Sequence, residues 1–206
     1  MDMTQPQEVD KGVSTQRIIR DLLFFDRGAM SFLDKEIPYG VIEEILSGAT
    51  SCSWLGQWKL VSVTKKENRV GFVEVWQRAL REIGQHRGAE FIERWKMAPL
   101  FVVFCQPKAF EPHQWVAPEF VRTFSIHEVG CAVRSLELVA LTHGVGLHGI
   151  MGVLVPSVGG PIQEVLRVPQ DYEIVYLGIM GYPDEQVVAK FPSLSEVCFS
   201  DSWDAR

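Results

Sequence analysis

The fold of this chain turns on Gly144-Val145-Gly146-Leu147-His148-Gly149-Ile150-Met151-Gly152. The stretch follows a long apolar helical pattern over residues 125–143 and ends in a short apolar run broken by glycine. Within that pattern Val129, Ala132, Val133, Leu136, Val139 and Ala140 recur at spacings of three and four, which predicts a helix with one buried face. A helix that hands the chain to small residues lets backbone approach a flat ligand closely. The same glycines also serve as an ordinary helix stop and tight turn. Gly144-Val145-Gly146 follows a helix rather than a strand, the reverse of the order in a dinucleotide-binding turn.

Working outward, residues 100–105 are apolar throughout and predict a strand covered on both faces. Residues 58–64 alternate with period two and predict a strand with one buried face, and residues 174–180 predict the last core strand. Ser14 can cap a first helix reaching about Phe25, with Ile18, Ile19, Leu22 and Leu23 at helical spacing. A second helix enters at Pro38, sets Val41, Ile42, Ile45 and Leu46 on one face, and ends at Gly48. The block 67–96 is charged and helical, with an interruption at 84–88, and a brief helix covers 162–166. Residues 107–118 read as a loop carrying His113 and Trp115. Helices and apolar strands interleave without strict βαβ regularity, so the class is α+β, of α/β type with a mixed central sheet.

The chain has 206 residues, 47% hydrophobic and 22% charged, which suits one domain with a full core. A formal charge of −6 argues against a nucleic-acid partner, whose binding needs a basic surface. No apolar run is long enough for a membrane helix. Residues 1–14 are polar and acidic without an apolar core, and read as a disordered lead. Cys52, Cys105, Cys131 and Cys198 are scattered, without zinc-site or CxxC spacing, as in a protein of the reducing cytoplasm. His143 and His148 straddle the glycines without nearby Cys or acidic partners, and no metal site is expected. Neither GxSxG nor GxxxxGK[ST] occurs, and Gly144-Val145-Gly146-Leu147-His148-Gly149, though spaced as GxGxxG, follows a helix instead of a strand, so any chemistry here belongs to a cofactor.

Four blocks resemble the nitroreductase family of FMN-binding flavoproteins. Residues 27–38, from Arg27-Gly28-Ala29-Met30 to Asp34 and Ile37-Pro38, resemble its N-terminal arginine/serine motif and the Phe-x-Asp turn that follows. Ala49-Thr50-Ser51-Cys52-Ser53-Trp54-Leu55-Gly56-Gln57-Trp58 resembles its Ala-Pro-Ser-x-x-Asn-x-Gln-Pro-Trp loop. Glu128 to Ala132, running on to Gly144-Val145-Gly146, resembles its central dimer helix, and Gly181-Tyr182-Pro183 its strand exit. The resemblance implies a three-layer sandwich, a central mixed sheet flanked by helices, in an intertwined homodimer. It implies a domain over 15–183 and an extension over 184–206 that wraps the partner subunit.

The implied activity is NADH- or NADPH-driven, ping-pong reduction of a small acceptor, a nitro compound, quinone or similar. The flavin N5 would carry it, with no catalytic side chain. Arg27 and Gly28 fall at the phosphate motif, with Lys190 as a second cation. Thr50, Ser51 and Trp54 fall on the flavin loop, and the backbone of Ile150, Met151 and Gly152 falls at the N5 and O4 edge. The chain departs from the family at Asp26, Gly28 and Met30, which replace basic or serine residues, and at Trp54, which replaces Asn. An Asp beside a phosphate opposes it. A second reading is therefore a relative with lost or altered flavin binding, acting as a ligand-binding or structural dimer. The aromatic block from Trp76 to Trp95 and the loop around Trp115 are candidates for a substrate lid, or for core and interface packing.

Overall fold

Leu100-Phe101-Val102-Val103-Phe104-Cys105 sets apolar side chains on both faces, so the strand it forms, β2 (Leu100–Pro107), must be covered from both sides. The computed structural model describes residues 29–150, 152–184 and 197–198. There β2 runs antiparallel to β1 (Lys59–Val63) on one side and to β4 (Tyr172–Gly181) on the other. β3 (Gly146–Ile150) adds to β4, again antiparallel, giving the order β1-β2-β4-β3. A register slip between Phe104 and Cys105 leaves Val175 of β4 unopposed, a bulge at which the strand bends.

Alternation along β2 divides the core in two. Leu100, Val102 and Phe104 pack with Ile42 and Ile45 of α1 (Tyr39–Thr50) and with Val129, Ala132 and Leu136 of α4 (Pro118–Thr142). Gly48 lets these helices close together, since a Cβ there would lie 2.8 Å from a methyl of Val139. Phe101, Val103 and Cys105 face Phe72, Val73 and Trp76 of α2 (Lys66–Glu82) and Val158 and Ile162 of α5 (Pro156–Val165). The short α3 (His86–Phe91) and the 3-10 turn Ile92–Met97 complete this second layer with Ala89, Ile92 and Trp95. Helix, sheet and helix make three layers, and the α+β class stands. The mixed pairing does not occur among the described strands, because β4 inserts between β2 and β3 and runs opposite to both.

Several elements differ from expectation. α4 starts well before Ser125, at Pro118, whose fixed φ suits the first turn, while Phe120 and Phe124 lie exposed off the buried stripe and blur the helical period there. Residues 146–150 are an edge strand, not an irregular run, since β4 supplies their backbone partners. α5 begins at Pro156 and continues through Pro161, whose missing N–H cannot reach the Ser157 carbonyl. β1 is covered on both sides rather than one, Leu60 packing toward α1 and α4 and Val61 toward α2. The expected lead, the first helix and most of the tail lie outside the described residues. Among the described residues no helix is long and apolar enough to cross a membrane.

Candidate functional site

Two places in the fold collect the predicted site residues. The first is at β3, which among the described residues pairs on one side only, with β4, and so leaves alternate backbone N–H and C=O groups facing outward. Leu147 enters the core beside α4, whereas Ile150 enters the core on the α2 side. Beyond Ile150 the chain makes one 3-10 turn, Gly152–Leu154, and a Cβ on Gly152 would meet nothing within 4 Å. The glycine therefore fronts open space.

Backbone bonds tie this region to the first motif. Leu33 N–H donates to the Tyr182 carbonyl (2.9 Å), and Asp184 N–H donates to the Ser31 carbonyl (3.2 Å). The Lys35 ammonium sits 4.0 Å from the centre of the Tyr182 ring. Trp95 Nε1–H donates to the Met30 carbonyl (3.3 Å), and the His148 ring lies 5.3 Å from the Trp95 ring. Burial pushes the His148 pKa below its ordinary value, so the ring is neutral at neutral pH. The segment after Arg27, the exit of β4 and the β3 edge are thus gathered around Phe32 and Trp95. Arg27, Gly28, Met151 and Lys190 lie outside the described residues.

The second place is the end of α1. Thr50 Oγ1–H donates to the Ser47 carbonyl and Ser51 Oγ–H to the Gly48 carbonyl, each at 2.8 Å. Both hydroxyl protons are committed to the helix end, which leaves acceptor lone pairs for a ligand. The chain then crosses α4. Cys52 Sγ lies 3.1 Å from Ser135 Oγ, and Glu128 Oε1 accepts the N–H groups of Trp54 (2.5 Å) and Leu55. The Trp54 ring is 60% exposed, with ring centres of His113 at 5.2 Å and Phe124 at 6.2 Å. Gln57 ties this loop to the next by a reciprocal pair, donating to the Glu111 carbonyl (3.0 Å) and accepting its N–H (2.9 Å).

Thr50, Ser51 and Trp54 are therefore brought together, and so are Ile150 and Gly152, but the two groups belong to opposite helical layers of the chain. The lid reading of residues 76–95 is overturned, because Trp76 (3%) and Trp95 (4%) are buried in the core and stacked 5.2 Å apart. Trp115 stays exposed on its loop. His143 and His148 do not converge: His143 Nε2 pairs with Glu44 (2.9 Å), while His148 packs on Trp95. Two residues escaped sequence reasoning, Glu128 as a buried loop anchor and His148 as a ring neighbour of Trp95. Glu128 did carry a signal, a carboxylate on the apolar stripe beside Val129 and Ala132.

The sequence model described as Nitroreductase family matches residues 31–182. No curated protein matches the chain. Among solved structures, an FMN-dependent nitroreductase from Clostridium difficile R20291 is 21% identical, with 89% of this chain and 99% of that chain covered at a TM-score of 0.68. Nitroreductase A from Vibrio parahaemolyticus is 21% identical (91% and 78% covered, TM-score 0.67). An NADPH:FMN oxidoreductase from Vibrio harveyi complexed with NAD+ is 17% identical (91% and 79% covered, TM-score 0.67). At these identities the likeness is one of fold.

Proposed function

Because the chain belongs to the nitroreductase family, we propose that it is an FMN-dependent oxidoreductase that works as a homodimer in the cytoplasm. The observation that carries this reading is the gathering of the first motif, the β3 edge and the β4 exit in one place. These residues fit the cofactor. An open strand edge followed by a glycine facing free space accepts a flat ring and offers it backbone N–H groups. When bound, FMN supplies two-electron transfer between NADH or NADPH and a small acceptor, a nitro compound or quinone.

The chain's own part is to bind and orient. Arg27 and Gly28, which directly precede Ala29 in sequence, and Lys190, which follows Asp184, are the residues that hold the phosphate in this reading. The backbone of Ile150, Met151 and Gly152 lines the ring edge. Thr50, Ser51 and Trp54 sit in the other layer, so they reach the ring from a second copy of the chain. The domain over 15–183 forms each half, and residues 184–206 wrap the partner. Free thiols at all four cysteines suit a reducing compartment.

Protein purified without added FMN should be yellow, with absorbance at about 450 nm and close to one flavin per chain. A colourless protein that also refuses added FMN would instead support the second reading, lost or altered flavin binding. That reading is favoured by Trp54, which replaces a polar flavin contact and whose own backbone N–H is committed to Glu128. Arg27→Ala should weaken FMN binding about tenfold or more, roughly 1.5–3 kcal/mol for a charge-assisted contact, by fluorescence titration. Unchanged affinity would move the phosphate to Lys190.

A further inference from the structure

Between Cys52 and Gln57 no side chain is buried, so the loop carrying Trp54 has little hold from the hydrophobic effect. Its hold is polar. One oxygen of Glu128, a side chain on α4 at 7% exposure, accepts the N–H groups of both Trp54 and Leu55. The other oxygen, Oε2, is buried without a partner among the described residues, as is the Ser125 hydroxyl one turn earlier. Burying a carboxylate with half of its acceptor capacity unused is costly, and an apolar contact would tie down a loop at lower cost. What the carboxylate adds is geometry. Two consecutive N–H groups converging on one anion fix two successive peptide planes, and with them the direction in which the Trp54 side chain leaves the backbone. The ring itself stays exposed, flanked by His113 and Phe124.

We propose that Glu128 is a positioning residue that holds the Trp54 loop as a wall of the flavin and acceptor site. The proposal rests on the flavin reading above. Glu128 touches neither cofactor nor acceptor and acts through the two amides it binds. Glu128→Gln keeps the shape, removes the charge and weakens the shared acceptor; Glu128→Leu removes the acceptor altogether.

Amide hydrogen exchange at Trp54 and Leu55, FMN titration, and steady-state kinetics with NADH and menadione test this on the purified holoprotein. In Glu128→Gln the two amides should exchange about tenfold faster. The FMN Kd and the menadione KM should each rise about fivefold or more, while kcat at saturating menadione changes less than about twofold. Glu128→Leu should enlarge each shift in the same order. Unchanged exchange at both amides in Glu128→Leu overturns the anchor. Faster exchange with unchanged FMN Kd and menadione KM overturns the positioning role and leaves a structural staple. A wild-type protein that takes up no FMN overturns the flavin reading itself, and shows this before any variant is compared.

Discussion

Arg167 holds a backbone conformation that usually falls to glycine. At φ 53° it closes α5, its N–H donating to the Glu164 carbonyl (3.0 Å) and the next N–H, of Val168, to the Gln163 carbonyl (2.9 Å). Gly84 and Gly144 close α2 and α4 by the same pair of bonds without a Cβ in the way. Arg167→Gly should therefore raise stability by about 1 kcal/mol in urea unfolding, and a loss would show that the side chain makes contacts that outweigh the strain. His148 gives a pH dependence. Its pKa is depressed by burial, so the unfolded chain takes up the proton first as pH falls. The stability held by the neutral ring is complete above the ordinary histidine value of about 6.5 and is lost as pH falls from there toward the depressed folded value. The melting temperature should drop across that window, and His148→Phe should flatten the drop. Residues of this kind were half legible. The loop resemblance pointed to Thr50 and Ser51, but the commitment of their hydroxyls depends on where α1 ends. Glu128 stood out only as a polar break in an apolar stripe, because its partners lie far away in sequence.

At the scale of elements, α5 and the turn after β3 are locked by one close approach. A Cβ on Gly159 would collide with the Val153 carbonyl oxygen, whereas a Cβ on the adjacent Gly160 would meet nothing within 4 Å beyond its own chain neighbours. Gly159→Ala should cost about 1–3 kcal/mol and, by shifting the turn that begins at Gly152, weaken FMN binding as well. Gly160→Ala meets no such backbone, but its Cβ faces the ring of Pro161, which offsets the gain in helix propensity. Stability should change by less than about 1 kcal/mol with FMN affinity left alone, so denaturation and titration of the pair isolate the close approach at Gly159. This lock explains what could be read and what could not. β2 was legible because a wholly apolar run has one physical outcome, burial on both faces. The start of α4 was hidden because Phe120, Phe124 and Ile126 are apolar yet exposed, which blurs the helical period. β3 was hidden because glycine and histidine have little strand propensity of their own, and the partner strand β4 decides the matter.

For the molecule as a whole, one chain presents two half-sites that it does not unite. The β3 edge belongs with the α2 and α5 layer, and the Trp54 loop with α1 and α4. Beside that loop Phe124 is exposed, its ring 6.2 Å from that of Trp54, and Phe120, one turn earlier on α4, is exposed with it, apolar side chains of the kind that mark an association surface. If a second copy covers this face and carries its Trp54 loop to the first copy's β3 edge, flavin binding and dimerisation are thermodynamically linked. FMN must then tighten the dimer by the same factor by which dimerisation tightens FMN. Sedimentation of the apoprotein over a dilution series should show a monomer–dimer equilibrium that added FMN shifts toward the dimer. Phe124→Glu, which puts a charge into the face, should favour the monomer and weaken FMN binding about tenfold or more, and raising the protein concentration should restore both together. A variant that is monomeric at every concentration yet binds FMN as tightly as the parent would place the whole site within one chain, and would remove Thr50, Ser51 and Trp54 from it.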